Sequence, residues 1–214
     1  ENADLSAADR TLFTDAINKI TWLYCLKPDT INIQPYKDDK REYDEVEFIE
    51  VVLVEEKRIN RMAEIIMRTI PYPMVLIFRL DNKLKLYVSH QRNSLNDSSK
   101  NTIEELISTE WVFNDSLLFG KLDIQKMRFS NFYALYSDIV DTVSIYKASA
   151  LIPIDLDISG EDARQLTAEI EGLEKQIATL KSKLKNETQF NKKMELNIEI
   201  RNLSKRKSQI TGGN

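Results

Sequence analysis

Val46-Glu47-Phe48-Ile49-Glu50-Val51-Val52-Leu53-Val54 opens the one part of the chain, residues 46–88, with strongly apolar strands. It is followed by a helical stripe of Ile59, Met62, Ala63, Ile66, Met67 and Ile70, then by Pro73-Met74-Val75-Leu76-Ile77-Phe78 and Leu84-Lys85-Leu86-Tyr87-Val88. The first run is apolar on both faces, as a mostly buried strand is. The stripe recurs at three and four residues, the period of a helix buried along one side. Pro71 and Pro73 end that helix and launch the next strand. Strand, helix, strand predicts a right-handed crossover onto a parallel or mixed sheet. Asp81-Asn82 is a turn pair, so residues 84–88 are expected to return antiparallel to residues 74–78. Glu55 and Glu56 read as acids at the helix start, where the dipole favours negative charge.

Outward from this centre, Ser6 with Asp9 three residues on reads as a helix start. Phe13, Ala16, Ile17, Ile20 and Leu23 or Tyr24 then continue at helical spacing, which predicts one helix over residues 7–26, stopped by Pro28. Residues 28–45 read as a polar linker with a short strand at Ile31 and Ile33, and residues 35–45 as charged and exposed. Residues 93–101 read as a polar loop, 102–108 as helical, 110–113 as extended and 129–146 as a long helix. Pro153 to Gly160 marks the domain boundary.

From Glu161 the pattern changes. Leu166, Ile170, Leu173, Ile177, Leu180 and Leu184 alternate at four and three residues, a heptad seam. The phase then breaks at Glu187 and Asn191. A second stripe, Leu196, Ile200, Leu203 and Ile210, follows in another phase, with Phe190 and Met194 beside it. Two readings fit: an antiparallel hairpin whose arms span roughly 30–38 Å, or one long helix with a stutter that pairs with another chain. The hairpin is the preferred one. The expected architecture is therefore a mixed α/β core with a small mixed sheet flanked by helices (residues 1–155), plus a C-terminal helical hairpin or coiled-coil arm (residues 161–210).

The 214 residues are 42% hydrophobic and 30% charged, with a net charge of −4. Such a balance gives no general pull toward nucleic acid. Residues 1–160 carry 19 Lys/Arg against 26 Asp/Glu, and residues 161–214 carry 11 against 8, so the tail is mildly basic and the remainder acidic. One cysteine, Cys25, excludes an internal disulfide framework and fits a reducing cytosol. No apolar run is long enough to span a bilayer and no signal peptide is visible, so the expected location is the cytoplasm. The opening Glu1-Asn2-Ala3, without Met, reads as a trimmed N-terminus.

No reaction is legible. His90, the lone histidine, has no visible acid–base partner, and Cys25, set among Trp22, Tyr24 and Leu26, reads as a buried thiol rather than a nucleophile for it. Asp38, Asp39, Glu42, Asp44 and Glu45 lack the glycine turn and spacing of a calcium loop. The five glycines form no phosphate-cradling loop. The one catalytic alternative is a metal-dependent nuclease. Glu55-Glu56-Lys57 ends the first core strand with Glu45, Glu47 or Glu50 upstream, and Glu50, Glu55 and Lys57 would hold a cation and steady a phosphate. No cofactor, metal or small-molecule substrate is otherwise expected. A second alternative is nucleic-acid contact along the basic arm by Lys185, Lys192, Lys193, Arg201, Lys205 and Arg206.

Certain segments together carry a resemblance: Lys19-Ile20-Thr21-Trp22; the strand over residues 46–53; Ile70-Pro71-Tyr72-Pro73 leading into residues 75–78; Thr109-Glu110-Trp111; and Gln189-Phe190-Asn191-Lys192-Lys193-Met194-Glu195-Leu196-Asn197. The chain resembles the prokaryotic domain of unknown function family 4391 over nearly its whole length, most specifically in the last segment. The resemblance implies a further segment ahead of the first helix, which this sequence does not show. It also implies a setting near helicases, DNA methyltransferases and restriction-type or phage-defence genes. The expected role is a non-catalytic accessory protein that docks through its helical arm onto such a DNA-processing complex, or self-associates through that arm, without a membrane.

Overall fold

A computed structural model describes residues 5–93, 101–114, 116–152 and 157–212. The chain opens with helix α1 (Ala7–Ala16) and runs directly into strand β1 (Ile17–Leu26). A short helix α2 (Pro28–Ile31) and a small antiparallel hairpin, β2 (Tyr36–Lys37) with β3 (Glu42–Tyr43), lead into β4 (Val46–Leu53). Helix α3 (Ile59–Thr69), β5 (Met74–Leu80) and β6 (Lys83–Val88) follow. The short strands β7 (Gln91–Asn93), β8 (Asn101–Ile103), β9 (Ile107–Ser108) and β10 (Val112–Phe113) come next, then α4 (Leu117–Lys121) and α5 (Phe132–Leu151). The chain ends in α6 (Gly160–Asn186) and α7 (Phe190–Ile210). Two compact units result, residues 1–143 and 144–214, with the division inside α5. Residues 94–100 of the expected polar loop and residues 153–156 of the expected boundary lie outside the described residues.

The first unit is built on a mixed sheet of order β1-β4-β5-β6-β10, with β9 also on β6. β4 and β5 are parallel and the other pairs antiparallel. The expected crossover is present: two parallel strands cannot be joined by a tight turn, and α3 makes the connection. Ile49, Val51 and Leu53 of β4 share a face with Met74, Leu76 and Phe78 of β5, and α1 and α3 close over it with Leu12, Met62, Ala63 and Ile66. On the other face the ring of Tyr24 meets Phe48 edge-on at 6.5 Å, and Arg79 Nε donates to Glu50 Oε1 at 2.7 Å.

Five expectations change. The short strand expected at Ile31 and Ile33 does not form: Ile31 ends α2, and Ile33 lies in no strand. The helix expected over residues 7–26 stops at Ala16, and residues 17–26 are β1 instead. Ile17, Ile20, Thr21, Trp22 and Tyr24 are β-branched or aromatic, suited to a half-buried pleated surface. They also pair the open edge of β4, which propensity counted along the chain cannot anticipate. Residues 102–108 are not helical but contribute to β8 and β9, beside β7 and β6. The linker expected to be exposed carries Tyr43, which is wholly buried, its hydroxyl 2.9 Å from His90 Nδ1 and accepting from Gln91 N at 3.1 Å. Finally, α3 starts at Ile59 behind Arg58, which takes a left-handed φ of 46°, so Glu55 and Glu56 precede the cap and are not first-turn acids.

In the second unit α6 and α7 pack against each other, with the chain reversing at residues 187–189. Ser159 caps α6, accepting from Asp162 N at 3.0 Å. Glu187 Oε1 accepts from Thr188 N at 2.8 Å and Gln189 N at 2.9 Å, which holds the reversal. Arg206–Glu169 at 2.6 Å and Lys207–Glu174 at 2.5 Å tie the end of α7 to the middle of α6, and with the reversal at residues 187–189 the helices are antiparallel. On the seam Ile170, Leu173 and Leu180 are buried, while Leu166, Ile177, Leu184, Leu196, Ile200 and Leu203 are half-buried. Among the described residues no helix is long and apolar enough to cross a membrane.

Two outcomes follow from these contacts. The buried Tyr136 hydroxyl donates to Met74 O at 2.7 Å and accepts from Ser89 N at 3.2 Å. Tyr136→Phe leaves those groups unmatched and should cost about 1–3 kcal/mol in urea unfolding. Asp9, beside Arg61 (2.9 Å) and capped by Ser6, is held well below the usual carboxylate range, first by the Arg61 hydrogen bond. A depressed folded pKa adds stability above the unfolded value, and that stability is lost as pH falls. Asp9→Asn should therefore melt earlier than the parent at pH 7, with the gap narrowing from about pH 4 downward.

Candidate functional site

Glu47 is an acid in an apolar strand, and it is 0% exposed. Its position follows from the period of two: Glu45, just ahead of β4, Glu47, Ile49 and Val51 point to the same side of the extended chain. Opposite it, β1 adds one residue. The register runs Trp22↔Ile49, then Tyr24↔Phe48 and Cys25↔Glu47, so Leu23 is extra. A bulge of this kind re-aims the side chains that follow it. Trp22 and Cys25, three apart, therefore both face Glu47, while Tyr24 goes to the other side with Phe48.

The resulting contacts are close. Trp22 Nε1 donates to Glu47 Oε2 at 2.5 Å and Cys25 Sγ donates to Glu47 Oε1 at 3.1 Å. Lys27 Nζ sits 3.3 Å from Glu45 Oε2. The sulfur of Cys25 and one oxygen each of Glu45 and Glu47 lie within 4.8 Å of one another, a set able to hold a metal ion. Burial pushes the Glu47 carboxyl up; the Cys25 and Trp22 hydrogen bonds work against this, and the adjoining Glu45 carboxyl adds to it. Burial, and then the Glu47 carboxylate, push the Cys25 thiol up to about 12. Glu45 raises Lys27. A thiol held protonated is a poor nucleophile.

The residues singled out as a nuclease set take other positions. Glu50 lies on the opposite side of β4 from Glu47 and is engaged by Arg79. Glu55 and Lys57 are exposed and pair with each other at 3.4 Å. Cys25 and His90 have separate partners, Glu47 and Tyr43. His90 lies within an aromatic group, its ring centroid 5.5 Å from Tyr133 and 5.7 Å from Tyr136. Of the basic arm residues, Lys185, Lys192, Lys193, Arg201 and Lys205 are exposed, and Arg206 is held by Glu169.

The arm has a second feature. α7 contains no buried residue, and Phe190, Met194 and Ile198 are 74%, 50% and 57% exposed. Four residues apart, they form one stripe on the outer face. Arg201 and Lys205 continue it toward the C-terminus. Glu195 and Glu199, the acids of α7, fall outside the stripe.

The helical spacing of residues 7–26 hides the grouping of Glu47, Trp22 and Cys25, which only a strand at β1 brings together. The available signal was the charge at position 47 inside an apolar strand. A thiol pushed up to about 12 should react with iodoacetamide at pH 8 at less than about a tenth of the rate of an unstructured cysteine. Glu47→Gln should speed that reaction, as followed by mass spectrometry.

No curated protein and no solved structure matches the chain. A family model described as "Domain of unknown function (DUF4391)" matches residues 1–206. The chain therefore belongs to the DUF4391 family.

Proposed function

We propose that this chain is a non-catalytic accessory protein of a prokaryotic, cytoplasmic DNA-processing or defence assembly, of the helicase, methyltransferase or restriction type, and that it docks through α7. The observation that carries this reading is the outer stripe of Phe190, Met194 and Ile198, large apolar side chains left in water on a helix with nothing buried. Helices inserted into protein grooves are anchored by apolar residues three, four and seven or eight apart, and contiguous apolar surface marks such sites. The charge beside the stripe describes the partner: Arg201 and Lys205 without an acid call for a groove with an apolar floor and an acidic end. Three apolar side chains supply far less than the roughly 800 Å² per partner of a stable interface, which favours a groove that also enfolds their neighbours over self-pairing of the stripe. Direct nucleic-acid binding is the weaker reading, because Met194 and Ile198 offer no stacking surface and Arg206 is engaged within the hairpin.

The test uses the full chain to capture partners from its native host, beside a Phe190→Glu, Met194→Glu, Ile198→Glu variant. These side chains are exposed, so the variant should keep the parent circular dichroism spectrum. A DNA-processing enzyme retained by the parent, weakened about tenfold or more by the variant and rebinding when purified, is the expected result. Retention unaffected by the variant overturns the docking face. Plasmid cleavage with magnesium or manganese that falls away in Glu50→Gln overturns the non-catalytic role. A gel shift of duplex DNA lost in Lys192→Glu, Lys193→Glu makes the arm a nucleic-acid binder instead.

A further inference from the structure

We propose that Cys25, Glu45 and Glu47 bind one thiophilic divalent cation of the zinc class at the edge of the sheet. The proposal is independent of the docking role of α7. The donors converge from β1, from β4 and from the residue just ahead of β4: one sulfur and two carboxylate oxygens within 4.8 Å. The spacing suits the ion. Zinc bonds of about 2.3 Å to sulfur and about 2.0 Å to oxygen place those atoms about 3.5 Å apart across a tetrahedral edge. Cys25 Sγ and Glu47 Oε1 are 3.1 Å apart, so insertion needs only a slight opening.

A second observation, separate from the convergence of donors, is the charge around Glu47. Its side chain is wholly removed from water, and among the described residues no Lys or Arg forms an ion pair with it. Lys27 serves Glu45, so two acids share one base. A buried carboxylate without a counter-ion costs several kcal/mol, and a second carboxyl within 4.8 Å of it favours a cation between the two, either a proton or a metal. The outer support favours the metal. Trp22 Nε1 holds Glu47 Oε2, which turns Oε1 toward the thiol, in the way outer hydrogen bonds orient metal-binding carboxylates. Thiolate beside carboxylate selects zinc or cobalt over magnesium and calcium, which take oxygen alone. On binding, the thiol proton leaves to the buffer and a sulfur–metal bond replaces the sulfur–hydrogen bond. Three ligands from the chain leave the fourth position of a four-coordinate ion to solvent or to a partner.

Cobalt(II) is the probe, added to the reduced full chain. The expected result is one cobalt per chain, with sulfur-to-cobalt charge-transfer absorption, the visible bands of a four-coordinate ion, quenching of Trp22 fluorescence in a Trp111→Phe background, and displacement by zinc. Cys25→Ser should abolish the charge-transfer band. Glu47→Gln should weaken binding about tenfold or more, while Glu42→Gln, whose carboxylate pairs with Lys37 on the β2–β3 hairpin, should leave it unchanged. The parent spectrum alone can overturn the proposal should a variant fail to fold: no charge-transfer band means that a proton is what the two carboxyls share. Cobalt bound with equal affinity by parent and Glu47→Gln also overturns it.

Discussion

The parallel pairing of β4 with β5 is the constraint on which the first unit depends. Two parallel strands cannot be joined by a turn, so α3 must cross between them and bury its stripe on the sheet. That crossing places Met62, Ala63 and Ile66 over Ile49, Val51, Met74 and Leu76, and α1 completes the cover with Leu12 and Ala16. It also leaves the far edge of β4 open, and β1 takes that place. The sheet then extends through β6, which returns antiparallel after the Asp81-Asn82 turn.

The chemistry of the unit sits where that apolar arrangement is interrupted. Glu47 occupies the helix-covered side of β4, where an aliphatic residue would pack well, and the extra residue in β1 brings Trp22 and Cys25 to meet it. A polar group in such a place is tolerated when each of its oxygens has a partner. The second unit is organised in the opposite way, with its apolar seam ordinary and its exposed face informative. α6 carries its acids, Glu161, Asp162, Glu169, Glu171 and Glu174, ahead of its lysines, Lys175, Lys181, Lys183 and Lys185. The basic end of α7 can therefore be matched by Glu169 and Glu174 only in the antiparallel arrangement.

Much of this was legible in the residues because local and global signals agreed. The stripe of α3, the prolines after it and the turn at Asp81-Asn82 each pointed the same way as the strands they connect. The heptad phases of Leu166 to Leu184 and Leu196 to Ile210, broken at Glu187, favoured a hairpin but fitted one long helix with a stutter as well. What was not legible depended on contacts far apart in the chain. Ile17, Ile20 and Tyr24 happen to fall at helical intervals, yet the β4 edge makes them a strand. Tyr43 lies in a run of charge, and its burial depends on His90, Gln91 and Tyr136, nearly fifty or more residues later. The meeting of Cys25 with Glu47 required both the strand and its bulge, and periodicity has no way to register one inserted residue.

β1 is also the outermost strand of its sheet, and it displays Ile20, Trp22 and Tyr24 to solvent. A long, flat, sticky rim of this kind invites foreign strands to zip on and seeds insoluble assemblies. The register slips near Asn18 and again at Leu23 interrupt that rim twice, so no run of regular backbone on it exceeds a few residues. The same kink that turns Cys25 inward thus also blunts the border of the sheet against runaway polymerisation.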